Sequence, residues 1–155
     1  MKPEAVVADI DSTLAETSHR KHLILQGDQR EDTDWLAYAQ ACADDTPTAA
    51  VALLALLRPH YKIILLTSRP EGSYEQTNQW LKDHGVRYDL LAMENGSGLG
   101  TVGYKVHSLR VILEKYDVKL LLEDSWNIRI AVEKELGIPT LVVRAYAPQT
   151  LELRY

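Results

Sequence analysis

Cysteine is nearly missing from this chain: Cys42 stands alone among 155 residues. One thiol excludes an internal disulfide framework, and no Cys/His cluster has the spacing of a zinc site. Phenylalanine is absent, so Leu, Val, Ile and Ala must carry the packing, with Tyr and Trp adding bulk. No apolar run approaches the ~20 residues that cross a bilayer. The N-terminus has no charged segment ahead of a long apolar stretch, so no signal peptide and no membrane partner are expected. Positive charge is also short. Lys and Arg number 17 against 22 Asp and Glu, for a net charge of −5. That balance argues against coating long nucleic acid, which draws on many cationic contacts. Gripping one phosphate at a chain end needs far fewer. A reducing, cytoplasmic setting is expected.

What is present suits one domain spanning 1–155: 46% of residues are hydrophobic and 25% charged. Five short runs are apolar almost throughout: "AVVAD" (Ala5–Asp9), "KIILL" (Lys62–Leu66), "DLLAM" (Asp89–Met93), "VKLLL" (Val118–Leu122) and "PTLVV" (Pro139–Val143). Such runs fit parallel strands covered on both faces. Helical patterns lie between them. Thr46-Pro47 reads as a cap and first helical residue ahead of "AAVALLALL". Tyr74, Thr77, Trp80 and Leu81 share one face of a helix that stops at Gly85. Ile128, Ala131, Val132 and Leu136 do the same before Gly137. "KVHSLRVILEKY" is a fourth helix. The alternation predicts an open α/β sheet with right-handed crossovers. Residues 15–46 break the rhythm and read as a strand-free insert with at least one helix. Glu94 to Tyr104 reads as a Gly-rich loop.

The chemistry concentrates in "VVADIDSTLAE". Asp9 and Asp11 close the first strand, at the sheet end where ligands of open α/β folds bind. In extended backbone their charges point to the same side and repel. A carboxylate there can attack phosphorus, a second can protonate the leaving oxygen, and a divalent cation can relieve the repulsion. Taken alone, Asp-x-Asp is equally a capped strand end with two solvated acids.

"DIDSTL" resembles the first motif, Asp-x-Asp-x-Thr, of the haloacid dehalogenase (HAD) superfamily of phosphohydrolases. "KIILLTSR", ending in Thr67, resembles the second motif. Lys105 stands where the third motif's lysine is expected. "LLLEDSWN", with Glu123 and Asp124, resembles the fourth. The resemblance runs from Val6 to Val143. It implies a three-layer Rossmann-like fold with sheet order 3-2-1-4-5 and a small helical cap made by the insert. It also implies a Mg²⁺-dependent phosphatase acting through an aspartyl-phosphate. Asp9 would be the nucleophile and Asp11 the general acid/base. Thr67 would hydrogen-bond a phosphoryl oxygen, and Lys105 would neutralise charge. Asp9, Asp124 and Glu123 would serve the metal with their carboxylates and Asp11 with its backbone carbonyl, and Asn127 would either orient a metal-bound water or be an ordinary polar helix residue.

Within the superfamily, "TSRP", "TNQWL" and the stretch from Val118 to Val143 resemble the phosphatase part of polynucleotide kinase/phosphatase enzymes. That likeness implies a polynucleotide 3′-end or nucleotide phosphate as substrate. Ser68, Arg69, Ser12 and Arg20 are the candidate substrate contacts. Arg20 belongs to a basic cluster with His19, Lys21 and His22, which could equally be a solvated face. The sequence departs from the group at four places. Glu123 replaces an Asp, Ser125 and Glu94 stand where Arg is common, and Ser12 replaces the more frequent Gly. Lys105 could also be an ordinary exposed lysine, and the "EDSWN" acids an ordinary helix start.

Three rival readings are weaker. "GLGTVG" (Gly98–Gly103) fits Gly-x-Gly-x-x-Gly, with Glu123 as the ribose acid of a dinucleotide site. However, "ENGS" separates it from its strand, and it leaves Asp9, Asp11 and Thr67 unexplained. Tyr104 stands where a P-loop needs Lys. Cys42 has Thr48, not Arg, six positions on, which excludes a cysteine phosphatase. A binding module that kept the fold without turnover is the remaining class.

Overall fold

The apolar runs form one parallel sheet. The computed structural model describes residues 1–143, so residues 144–155, the end of the expected domain, lie outside the described residues. The strands are β1 (Glu4–Ala8), β2 (Ala15–Glu16), β3 (Thr46–Pro47), β4 (Lys62–Pro70), β5 (Leu90–Glu94), β6 (Asp117–Leu122) and β7 (Thr140–Leu141). The helices are α1 (Trp35–Gln40), α2 (Ala49–Leu57), α3 (Tyr74–Asp83), α4 (Gly100–Lys115) and α5 (Trp126–Leu136). The main sheet runs β5-β4-β1-β6-β7, all parallel. Counting its strands in chain order gives the expected 3-2-1-4-5.

Alternation along the strands sends neighbouring side chains to opposite faces. Val6, Ala8, Ile63 and Leu65 pack with Ala50 and Leu54 of α2 and Trp80 and Leu81 of α3. Ala5, Val7, Ile64 and Leu66 pack with Leu109 and Ile112 of α4 and Ile128 and Val132 of α5. Both faces are therefore dry, which is why the strands read as continuous apolar runs.

Local readings shift in four places. The insert is not strand-free: β2 and β3 pair antiparallel across its base, Ala15 with Pro47 and Glu16 with Thr46. Thr46-Pro47 is thus not the start of a helix. The cap of α2 is Thr48, whose hydroxyl accepts from Ala50 N at 3.1 Å. Pro47 lacks an N–H, and the edge of a two-residue ladder tolerates that. Tyr74 is exposed, unlike Thr77, Trp80 and Leu81. Finally, α4 begins at Gly100, inside the stretch read as a loop. Its first turn is poor in helix formers, so tertiary anchoring overrides propensity there.

Between β2 and β3 the insert forms two 3₁₀ turns, Ser18–Leu23 and Gly27–Asp32, then α1 and a third 3₁₀ turn, Cys42–Asp44. Asp34 caps α1 by accepting from Ala37 N at 2.9 Å.

Candidate active site

β1 stops at Ala8, but the sheet continues one residue further. Asp9 N donates to Leu122 O at 3.0 Å. The chain then turns sharply: the Ile10 carbonyl accepts from the N–H groups of Thr13, Leu14 and Ala15. Ser12 sits at φ 63 within this turn, the one non-glycine in left-handed conformation among the described residues. Glycine takes that conformation without strain, which accounts for its frequency at this position in the resembling motif. The turn sends Asp9 and Asp11 into two different environments.

Asp9 faces the acidic side. Lys105, on α4, donates to Asp9 Oδ1 at 2.6 Å and to Glu123 Oε2 at 2.7 Å. Glu123 Oε1 also accepts from Ser125 N at 3.0 Å. Asp9 Oδ2 has a single 3.5 Å contact, from the Thr13 hydroxyl. Burial, and then the Glu123 charge, push the Asp9 carboxyl upward against Lys105. Burial likewise raises Glu123, and burial with the Asp9 charge raises Asp124. Burial disfavours the Lys105 ammonium, but Asp9 and Glu123 outweigh it and hold the lysine charged. Asp9, Glu123 and Asp124 each offer a carboxylate oxygen, all within 4.8 Å of one another. An all-oxygen donor set of this kind fits a hard cation such as Mg²⁺. Glu123 thus joins the cluster while its Oε1 takes the Ser125 N–H.

Asp11 faces two arginines. Its Oδ1 accepts from Arg20 Nη2 at 2.6 Å and Arg69 Nη2 at 2.7 Å. Arg69 Nε approaches both oxygens, at 3.2 and 3.1 Å. Burial opposes ionisation of Asp11, but Arg69 and then Arg20 outweigh it and hold the carboxyl below its usual range. The side chain of Asp11 does not join the acidic cluster. Arg20 and Arg69, read from sequence as candidate substrate contacts, are buried, with donors already taken by Asp11 and Asp45. The basic cluster therefore splits: Arg20 turns inward, while His19, Lys21 and His22 stay exposed.

A cavity of about 620 Å³ opens over both groups. Asp9, Asp11, Thr67, Ser68, Arg69, Lys105, Glu123 and Asp124 all line it. Thr67 is buried, and its hydroxyl accepts from Arg69 N at 3.2 Å. Ser68 Oγ is buried with no partner among the described residues. An unsatisfied hydroxyl in a cavity wall is poised for an incoming ligand. Ser12 and Asn127 do not line the cavity; Ser12 turns toward Thr17, and Asn127 is exposed.

Sequence reasoning missed the wall contributed by the insert. Ile24, Arg30, Trp35 and Tyr38 close the cavity on that side, with Arg30 over the Trp35 ring at 5.6 Å. It also missed Asp45, whose side chain is fully buried against Arg20. The dinucleotide reading gains no footing. Glu123, its ribose acid, is already held by Lys105.

The family described as HAD superfamily, subfamily IIIB (acid phosphatase), matches residues 1–128. The chain belongs to this family. No curated protein sequence matches the chain at a significant level. Among solved structures, this HAD phosphatase resembles a chain of the Pnkp1/Rnl/Hen1 RNA repair complex. The two share 26% identity and a TM-score of 0.73 over 92% of the present chain. The phosphatase spans only 42% of that larger chain. Two more distant likenesses concern the fold alone. A class C acid phosphatase from Bacillus anthracis is 13% identical with a TM-score of 0.67, over 93% of this chain and 67% of the other. The HAD-like hydrolase SP0104 from Streptococcus pneumoniae is 14% identical with a TM-score of 0.66, over 91% and 84%. Among the described residues, no helix is long and apolar enough to cross a membrane.

Proposed function

We propose that this phosphatase hydrolyses a phosphate monoester through an aspartyl-phosphate on Asp9, with Mg²⁺ held by Asp9, Glu123 and Asp124. The observation that carries this reading is the convergence of Asp9, Asp11, Lys105 and Thr67 on one cavity. When bound, the cation would supply positive charge between carboxylate and phosphoryl oxygens. Asp9 Oδ2, free of strong partners, attacks phosphorus, and the bond to the leaving oxygen breaks. Asp11, ionised between its arginines at rest, takes up a proton from solvent as the substrate binds and gives it to that oxygen; the proton it later takes from water returns to solvent. Water then attacks the acyl-phosphate and passes a proton to Asp11. The bond from phosphorus to Asp9 breaks, releasing inorganic phosphate and restoring the carboxylate. Thr67 and Ser68 offer hydroxyls to phosphoryl oxygens, and Lys105 offsets negative charge throughout.

The substrate is proposed to be a polynucleotide 3′-end or a nucleotide phosphate. The wall of Ile24, Trp35 and Tyr38 gives an apolar, aromatic surface suited to a base. The likeness to a chain of an RNA repair complex points the same way. We further propose that the chain works as one domain in a cytoplasmic setting, with residues 15–46 as its small cap.

The test is Mg²⁺-dependent phosphate release from three substrates: a 3′-phosphorylated oligonucleotide, 3′-AMP and glucose 6-phosphate. The reading expects turnover of one of the first two in preference to the third. It also expects loss of turnover in Asp9→Asn with the fold retained. Normal hydrolysis by Asp9→Asn would sink the mechanism, and preference for the sugar phosphate would sink the substrate class.

A further inference from the structure

Asp11 is not held by the arginines alone. Behind them lies Asp45, the last acidic residue before the chain leaves the insert. Its side chain has no solvent exposure, and it accepts from four side-chain donors. Arg20 grips it with two prongs, Nε to Oδ1 at 2.7 Å and Nη2 to Oδ2 at 2.6 Å. Arg69 Nη2 reaches Oδ2 at 3.3 Å, and His19 Nε2 lies 2.8 Å from Oδ1. The Asp45 backbone is fixed as well, since its carbonyl accepts from the Trp80 indole at 2.8 Å. One turn earlier on α3, Thr77 Oγ1 accepts from Arg69 Nη1 at 3.1 Å. Arg20 Nη1 is tied to Tyr38 O at 2.7 Å. The conspicuous Thr and Trp of α3 thus belong to this assembly.

Two guanidiniums face two carboxylates here, so the buried set is electrically balanced. The division of donors matters more. Asp45 takes the fork of Arg20 and a share of Arg69. That leaves Asp11 Oδ1 with the short contacts, and Oδ2 with only Arg69 Nε at 3.1 Å. Oδ2 is therefore the oxygen with room to exchange a proton with a ligand in the cavity.

We propose that Asp45 is a positioning residue for proton transfer: by occupying Arg20 and Arg69, it keeps one oxygen of Asp11 open to the leaving group. The inference rests on the reading of Asp11 as general acid/base. Without the Asp45 charge, both guanidiniums close on Asp11 and occupy both of its oxygens. Proton delivery then fails while the nucleophile, the acidic cluster and the phosphate contacts stay in place.

The leaving group separates this role from a merely structural one. An alkoxide leaving group needs a proton in the transition state, and p-nitrophenolate does not. kcat/KM covers only the steps up to departure of the leaving group, so the later hydrolysis of the acyl-phosphate does not blur it. The experiment measures kcat/KM of the full chain with Mg²⁺ on 3′-AMP and on p-nitrophenyl phosphate. Asp11→Asn sets the scale: it should lose about 100-fold or more on 3′-AMP and far less on the aryl ester. Asp45→Asn should lose about 10-fold on 3′-AMP and under about 2-fold on the aryl ester. Equal losses on both substrates in Asp45→Asn, with Asp11→Asn selective, overturn the positioning role and leave the acid/base role standing. Equal losses in Asp11→Asn sink the acid/base role and the inference with it. Should Asp45→Asn fail to fold, Thr77→Val decides the matter. It frees Arg69 from α3 and should show the same selective loss at about 3-fold; an equal loss on both substrates counts against the proposal.

Discussion

Replacing Lys105 by Met removes a charge and keeps most of the side-chain volume. In the parent, Nζ lies 2.6 Å from Asp9 and 2.7 Å from Glu123. Those two side chains are only 8% and 1% exposed. The variant strands both carboxylates beside Asp124 with no counter-charge. Removing one partner of a buried ion pair costs ~3–5 kcal/mol. Burial already pushes Asp9 and Glu123 toward the protonated form. Uptake of one proton therefore softens the loss, and the low end, about 3 kcal/mol, is expected. At about 2–4 °C per kcal/mol for a domain of this size, Tm should fall by roughly 6–12 °C in EDTA. Mg²⁺ should then recover more Tm in the variant than in the parent, because a cation binding the variant no longer meets an ammonium. The assay is thermal unfolding followed by circular dichroism near neutral pH, with EDTA or with excess Mg²⁺. A variant melting within about 2 °C of the parent in EDTA would refute the view that Lys105 holds the acidic side together.

Other perturbations test the frame around the site. Gly137 caps α5 at φ 66, and an added Cβ would meet nothing within 4 Å. Gly137→Ala therefore costs backbone strain alone, about 1 kcal/mol, read as a small drop in Tm. Ile64, the third residue of β4, lies fully buried. Ile64→Ala should cost about 2–5 kcal/mol in urea unfolding with an unchanged m-value. Asp89 accepts from Ile63 N at 2.9 Å and from Lys62 at 3.0 Å, ahead of β5. Burial opposes the shift, but the Ile63 N–H and then Lys62 hold its carboxyl below the ordinary 3.8. A depressed carboxyl stabilises the fold above that value and stops doing so as pH falls through its folded pKa. The Tm gap between the parent and Asp89→Asn should therefore be open near neutrality and narrow as the pH drops below about 4. A gap that widens on acidification would contradict this.

The strands were readable because two-sided burial leaves a local mark, apolar runs bounded by turns, whereas their order followed from the family resemblance. The site positions at strand ends were readable for the same reason, since β1 places Asp9 and β6 places Glu123. Lys105 was ambiguous because its neighbours on α4 say nothing about the 2.6 Å contact to a residue 96 positions away. Arg20 looked like one of four basic surface residues. The 3₁₀ turn, with three residues per turn, brings only that one inward. Asp45 carried no local signal at all, being one acid in "ADDTP". Its role depends on Arg20, 25 positions earlier, Arg69, 24 later, and the Trp80 indole. The early start of α4 was hidden because glycines suggest a loop, and only tertiary packing, with Val102 and Tyr104 against the core, holds its first turn.

The pairing of Asp9 with Asp11 looks costly only if the two share one environment. Period-two alternation would put both carboxylates on the same side, but that rule ends with β1 at Ala8. The turn around Ile10 separates them, and each joins a group of a different net charge. Asp11 and Asp45 balance Arg20 and Arg69, so that side needs no ion. On the other side, Asp9, Glu123 and Asp124 face Lys105 alone among the described residues. When all four are ionised, two negative charges remain over in a largely buried cluster. Burial penalises such an excess heavily, which is why all three carboxyls are pushed upward when no ion is present. One divalent cation cancels the excess, whereas a monovalent ion would leave half of it. The charge count thus supports a divalent metal independently of the motif likeness. On the reading proposed above, the carboxylates that would hold this metal are those grouped with Asp9, and the Asp11 side chain is not among them. If Asp11→Asn lowered Mg²⁺ affinity in calorimetry as much as Asp124→Asn does, this division of the site into a metal side and a proton side would be wrong.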